Sequence, residues 1–371
     1  MRKLYLLLFI FSFLLSRADE RFGAIGQYSI ETNYQFGRII KHNSKFKAPV
    51  TGFTHSFEAC FFKQTLGDKA WQRKLHYPEF GGSFTVAYNS DQKVFGNAYF
   101  LMALAKFWIV RSRSVDFYVR AGSGIAITPT RYNIVHNKEN NAIGSLINSV
   151  DQLKLGLDFK PDSHVQLNVG ITFTHYSNAG IQKPNLGVNI PALSVGVRYF
   201  FKVSKDLKYN RNKIPKPEKK NEVMVKFGLA ISEQNTNGGP KYPTYIGTIN
   251  YARYTSVANK VLAGASMEFS QGAYDGVVFY ETKTKYSATV MALNASLFVG
   301  DEIMMGKVGL FFIAGAYVFN PRKETPVYVK LGFNYYFAHT KNSRTKFFIG
   351  SSLKSHFLVA QFYEASMGVA F

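Results

Sequence analysis

The sequence predicts an all-β fold: a transmembrane β-barrel chain of two eight-strand repeats, closed as tandem small barrels or as one barrel of about sixteen strands. Three observations carry this expectation. Apolar residues alternate with polar or small ones along most of the chain, and a period of two means a strand with two unlike faces. The 371 residues include 34 Phe, 23 Tyr and 30 Gly but only 12 Pro. After the N-terminus no apolar run approaches the ~18 residues of a membrane-spanning helix, and closed barrels are the β structures that satisfy their backbone in hydrocarbon.

At the N-terminus, Arg2 and Lys3 precede an apolar run from Leu4 to Leu15, followed by Ser16-Arg17-Ala18. This is the layout of a signal peptide over residues 1–18, with cleavage expected after Ala18. Alternating runs then place strands near 24–36, 48–60, 79–89, 95–109, 114–127, 149–160, 164–176 and 191–202, a first repeat spanning 19–203. Residues 204–221 (SKDLKYNRNKIPKPEKKN) lack periodicity and carry two prolines among many lysines, which reads as a linker or a long periplasmic turn. Further runs near 222–233, 243–254, 258–270, 287–300, 305–319, 326–338, 345–355 and 358–371 form a second repeat over 222–371.

The repeats resemble each other in detail, as an internal duplication would require. Phe117-Tyr118-Val119-Arg120-Ala121-Gly122 parallels Phe311-Phe312-Ile313-Ala314-Gly315, and Lys154-Leu155-Gly156 parallels Lys330-Leu331-Gly332. Both repeats end an alternating strand on an aromatic residue, Phe201 and Phe371. Cys60 is the only cysteine, so no intrachain disulfide exists. The net charge of +22 would suggest nucleic acid in a cytosolic protein. On an exported barrel its complement is instead an anionic glycolipid, and no nucleic-acid partner is expected. Asp116, Arg120, Lys154 and Asp158 fall on inward faces, where they are expected to fill the lumen as a charged network.

One strand carries an anomaly. Val165, Leu167, Val169, Ile171 and Phe173 form its apolar face, and the same parity puts His175 and Ser177 where hydrocarbon should be. The following strand repeats the pattern with Leu193, Val195, Val197, Tyr199 and Phe201, and its parity adds Asn189 to that face. A polar group facing lipid is costly unless it has a use. A serine hydroxyl needs an adjacent base, itself held by a third group, to become a nucleophile. Residues i and i+2 of a strand lie ~7 Å apart, close enough for the two side chains to meet. Asn178 and Gly180 follow at once and could donate to an oxyanion. With both chain ends periplasmic, the connection after the seventh strand lies outside the cell, at outer-leaflet level.

The run His175-Tyr176-Ser177-Asn178-Ala179-Gly180-Ile181-Gln182-Lys183-Pro184-Asn185-Leu186-Gly187, together with Asn140-Asn141-Ala142-Ile143-Gly144-Ser145 and Ala121-Gly122-Ser123-Gly124, resembles the outer-membrane lipid A 3-O-deacylase and acyloxyacyl hydrolase-like family. The resemblance implies an eight-stranded barrel in the bacterial outer membrane. It also implies a Ser-His-Glu triad on the outer surface that releases an ester-linked acyl chain from lipid A of lipopolysaccharide, with no cofactor and no metal. Carried over, Ser177 is the nucleophile, His175 the base, and Asn178 with Gly180 the oxyanion site. Gln182, Lys183 and Asn185 either contact the sugar or phosphate or shape the loop. The departure is Asn189, where the family pattern has glutamate: an amide oxygen still orients the imidazole but brings no charge. The expectation is therefore a serine esterase acting on lipid A. A non-enzymatic pore or lipopolysaccharide-binding barrel, and a phospholipase with the same pair, are the alternatives.

Overall fold

The computed structural model describes residues 27–42, 44–201, 207–218, 220–233, 237–279, 284–323, 325–338, 345–356 and 359–371. The expected signal peptide lies outside them. Strands β1 (Tyr28–Gly37), β2 (Thr54–Gln64), β3 (Glu79–Tyr88), β4 (Asn97–Arg111), β5 (Val115–Ile127), β6 (Ile147–Phe159), β7 (Val165–Ser177) and β8 (Val188–Phe200) form one closed antiparallel barrel. Strands β9 (Asn221–Glu233), β10 (Lys241–Ser256), β11 (Asn259–Ser270), β12 (Leu293–Met305), β13 (Val308–Phe319), β14 (Val327–Ala338), β15 (Lys346–His356) and β16 (Val359–Ala370) form a second. β1 pairs with β2 and β8, and β9 pairs with β10 and β16. Each set of eight thus closes on itself, and the wide-barrel alternative falls away.

Two local expectations change. The second strand was expected at 48–60 but starts at Thr54, after Pro49 and Gly52, residues that a hydrogen-bonded ladder disfavours. The run expected at 287–300 begins as a helix. Besides α1 (Ala70–Lys74) between β2 and β3, two helices, α2 (Gln271–Phe279) and α3 (Ala288–Ala292), occupy the β11–β12 connection. Ser287 caps α3 by accepting from the Val290 N–H, and alternation resumes only at Leu293.

The exterior is apolar and the interior charged, the inverse of a soluble protein. On β7, Leu167, Val169, Ile171 and Phe173 are exposed while Asn168, Thr172 and Thr174 are buried. In the first lumen Glu31, Glu58, Glu79 and Asp158 face Lys106, Arg120, Lys154 and Arg198, all buried. Arg120 Nη2 donates to Glu58 at 2.8 Å, Lys106 Nζ meets Asp158 at 2.6 Å and Arg198 Nη2 meets Glu79 at 2.6 Å. The second lumen repeats the balance with Glu222, Glu268, Glu302 and Glu364 against Lys226, Lys260, Lys330 and Lys354. Buried charges at this density are sustainable only when paired, so both lumens are packed cores rather than aqueous channels. Apolar residues from the connections, including Ile39, Phe46 and Phe95, pack with Tyr176, Val188 and Ile190 to close the end of the first barrel where β7 finishes. The segment after β8 docks at the opposite end: Asn210 N–H donates to the Leu66 carbonyl at 2.8 Å, and the Tyr77 hydroxyl donates to the Asn210 carbonyl at 3.0 Å.

Candidate active site

The register of β6, β7 and β8 builds the site. Asp151 pairs with His175 and His175 with Asn189, while Ser149 pairs with Ser177. Pleating sends all five side chains to the outer face. His175 Nδ1 lies 2.5 Å from Asn189 Oδ1, and its Nε2 lies 3.0 Å from Ser177 Oγ. An amide oxygen only accepts, so Nδ1 carries the proton and the Nε2 lone pair receives the serine O–H. This is the tautomer a general base needs. At Gly187, φ is +76°, and a Cβ would stand 2.7 Å from His175 Cε1, so only glycine admits the imidazole here.

The β7–β8 connection folds over the strand end, and Ser177 is only 2% exposed. Asn178 organises this cover. Its Nδ2 donates to Ser145 Oγ at 2.7 Å and to the Gln182 carbonyl at 2.9 Å, while its Oδ1 accepts from the N–H groups of Gly180 and Gln182. The Asn178 N–H goes to Asn185 Oδ1 at 3.0 Å. The N–H groups of Asn178 and Gly180, expected to face an oxyanion, are thus engaged inside the loop. Asn185 shapes the loop, Gln182 joins it through its backbone, and the Lys183 N–H is given to Glu233 of the second barrel.

Sequence reasoning missed two neighbours. Asp151 is a carboxylate on the outward face of β6, directly across from His175. Its parity with Leu153, Leu155 and Leu157 marked it as a charge on a lipid-facing stripe. His42, from the β1–β2 connection, bonds the Leu186 carbonyl through Nε2 at 3.0 Å, which nothing in the local sequence signals. Among the described residues no group of three His, Cys, Asp or Glu side chains is placed to hold a metal.

Below the site runs an apolar groove of about 570 Å³ on the same face, lined by Phe36, Phe53, Leu153, Ile171, Phe173 and Leu193.

Fold and surface together define a transmembrane β-barrel protein whose outer wall carries a buried serine, a histidine and an amide acceptor in line. Residues 56–198 match the family described as Lipid A 3-O-deacylase (PagL), and residues 221–371 match that described as Acyloxyacyl hydrolase, C-terminal domain. Between them the matches cover most of the chain, which belongs to the lipid A 3-O-deacylase and acyloxyacyl hydrolase-like family. The lipid A deacylase PagL of Bordetella bronchiseptica is 30% identical over 125 residues, 33% of this chain and 62% of that protein. The crystal structure of the outer membrane enzyme PagL aligns with 45% of this chain and 97% of its own at 20% identity, with a TM-score of 0.32. Neisserial surface protein A aligns with 47% and 97% at 15% identity and TM-score 0.32. A mutant porin of Rh. blastica covers 93% of this chain and 99% of its own, at 9% identity and a TM-score of only 0.19. Barrel closure rests on the strand pairing.

Proposed function

We propose that the first barrel is a serine ester hydrolase of the outer membrane that removes an acyl chain from lipid A of lipopolysaccharide in the outer leaflet. The observation that carries this reading is the Asn189–His175–Ser177 line, with His175 Nε2 3.0 Å from Ser177 Oγ, on a face otherwise built for hydrocarbon. The Ser177 proton passes to Nε2 as Oγ attacks the ester carbonyl. The imidazolium then protonates the departing sugar oxygen, and a water activated by the same nitrogen releases the fatty acid. Asn189 fixes the tautomer, and Asp151 supplies the negative charge that an amide cannot give the imidazolium. The apolar groove receives the acyl chain, which leaves the ester at the level of Ser177.

For the ester to reach Oγ the β7–β8 connection swings outward. That motion breaks the bonds within the loop and frees the N–H groups of Asn178 and Gly180 to meet the oxyanion. Gln182 and Lys183, carried on the same loop, lie at the level of the sugar phosphates. A pore reading is disfavoured by the two packed lumens. The test is the mass spectrum of lipid A from cells expressing the wild type and Ser177→Ala: the wild type shortens lipid A by one acyl chain and the variant does not. Identical spectra with and without the wild-type protein would falsify the reading.

A further inference from the structure

The second barrel touches the first at this site. Tyr363 of β16 points outward, since Phe362 and Glu364 on either side are buried in the lumen. Its hydroxyl donates to Ser149 Oγ and lies 3.5 Å from Asp151 Oδ2. Ser149 Oγ in turn donates to the carbonyl of Ser177 at 2.9 Å. Glu233 ends β9 on the parity of Leu229 and Ile231, which are 39% and 44% exposed, yet Glu233 is only 3% exposed. What covers it is the β7–β8 connection of the first barrel: Glu233 Oε2 accepts the Lys183 N–H, and the Glu233 N–H donates to the Gly180 carbonyl at 2.8 Å. Gly180, at φ +82°, comes close enough to the Gln361 carbonyl that a Cβ would meet it at 3.4 Å.

A carboxylate and a phenol on lipid-facing parity are costly in hydrocarbon and need partners. Here each finds its partner on the neighbouring barrel: Glu233 on the loop three and six residues beyond Ser177, and Tyr363 on β6 directly across from Ser177 and His175. The contact also has a counterpart at the opposite end, where a Cβ at Gly306 in the β12–β13 turn would stand 3.2 Å from Trp71 Nε1 of α1.

We infer that the second barrel completes the site of the first, with Tyr363 and Glu233 as positioning residues that fix the Asp151 carboxylate and anchor the β7–β8 connection. Tyr363 holds Asp151 and, through Ser149, the backbone of Ser177. Glu233 tethers the loop at Lys183 and Gly180, so the loop opens from its other side, towards β8 and the apolar groove. The second barrel thereby covers the β6 edge of the site at Ser149 and Asp151, and the acyl chain reaches the serine through the groove below it. This inference rests on the hydrolase reading of the first barrel.

Two measurements on the full-length protein in outer-membrane vesicles test it. The first is independent of activity: Tyr363→p-benzoylphenylalanine keeps an aromatic ring at the seam and, on irradiation, captures whatever lies against it. The expected adduct maps to the β6 peptide around Ser149 and Asp151. Capture of lipid acyl chains instead overturns the inference. The second is kinetic: Tyr363→Phe lowers kcat about tenfold with KM nearly unchanged, and costs less in an Asp151→Asn background, where only the route through Ser149 is left to lose. Wild-type kcat in Tyr363→Phe, or an equal loss in both backgrounds, overturns the positioning role. A wild-type protein that releases no fatty acid sinks the hydrolase reading and the positioning role with it, while the photoadduct still reports whether the barrels meet at this seam.

Discussion

At the scale of single residues, the site depends on one imidazole held from two sides. Ser177→Ala should abolish fatty-acid release while leaving heat-modifiable migration intact, because the hydroxyl makes no contact in the lumen. His175→Ala should cost nearly as much, and the double variant little more, since nucleophile and base act as one unit. Activity of Ser177→Ala at the wild-type level would mean that another group attacks the ester. On the proposed reading Asn189 and Asp151 divide the work of one carboxylate: the amide oxygen lies 2.5 Å from Nδ1, and the acid lies across the strand pair. Asn189→Glu should therefore raise kcat. Asp151→Asn should lower it about tenfold in the wild-type background and much less once Glu stands at 189. Equal losses in the two backgrounds would show that Asp151 does not supply charge to the imidazolium.

At the scale of elements, β7 carries two surfaces that obey different solvents. Its outward residues meet hydrocarbon, and its inward residues join the ion-pair network, as Asn168 does by accepting from Lys154 Nζ at 2.8 Å. Val169→Arg should impair assembly by roughly 2–4 kcal/mol at midplane, read as the folded fraction in lipid vesicles across a urea series, whereas Val169→Leu should be tolerated. Indistinguishable folding of the two variants would reverse the assigned facing. Most of the sixteen strands were legible from alternation because barrel strands obey a strict two-residue period. Helices α2 and α3 were not, since they sit in a connection that neither lipid nor lumen constrains. Position 189 was legible as a departure from the family pattern, but the carboxylate proposed to supply its charge was not: Asp151 is 38 residues away along the chain and becomes a neighbour only through the β6–β7 register.

At the scale of the whole molecule, both lumens are filled by buried carboxylates paired with cations, leaving little room for water. The reconstituted protein should leave a planar bilayer at its baseline conductance. Discrete steps of porin size would mean that one lumen is open. The tandem arrangement also gives the second barrel a place: its β9 and β16 face the strands that carry the site, with Glu233 and Tyr363 at the same end as Ser177.

The sequence alone determined the strand alternation, the two repeats, and the placing of His175, Ser177 and Asn189 on one face. All of these follow from local period and parity, which need no knowledge of distant residues. Only the tertiary structure decided that each repeat closes on itself, because closure depends on which strands pair, and one alternation pattern serves a barrel of eight or of sixteen. It likewise decided that the Asn178 and Gly180 donors are held inside the loop, that Asp151 stands opposite His175, and that Tyr363 and Glu233 reach the site from the second barrel. Those contacts join residues far apart in the chain, whose proximity is set by register and by the docking of two barrels rather than by any local preference.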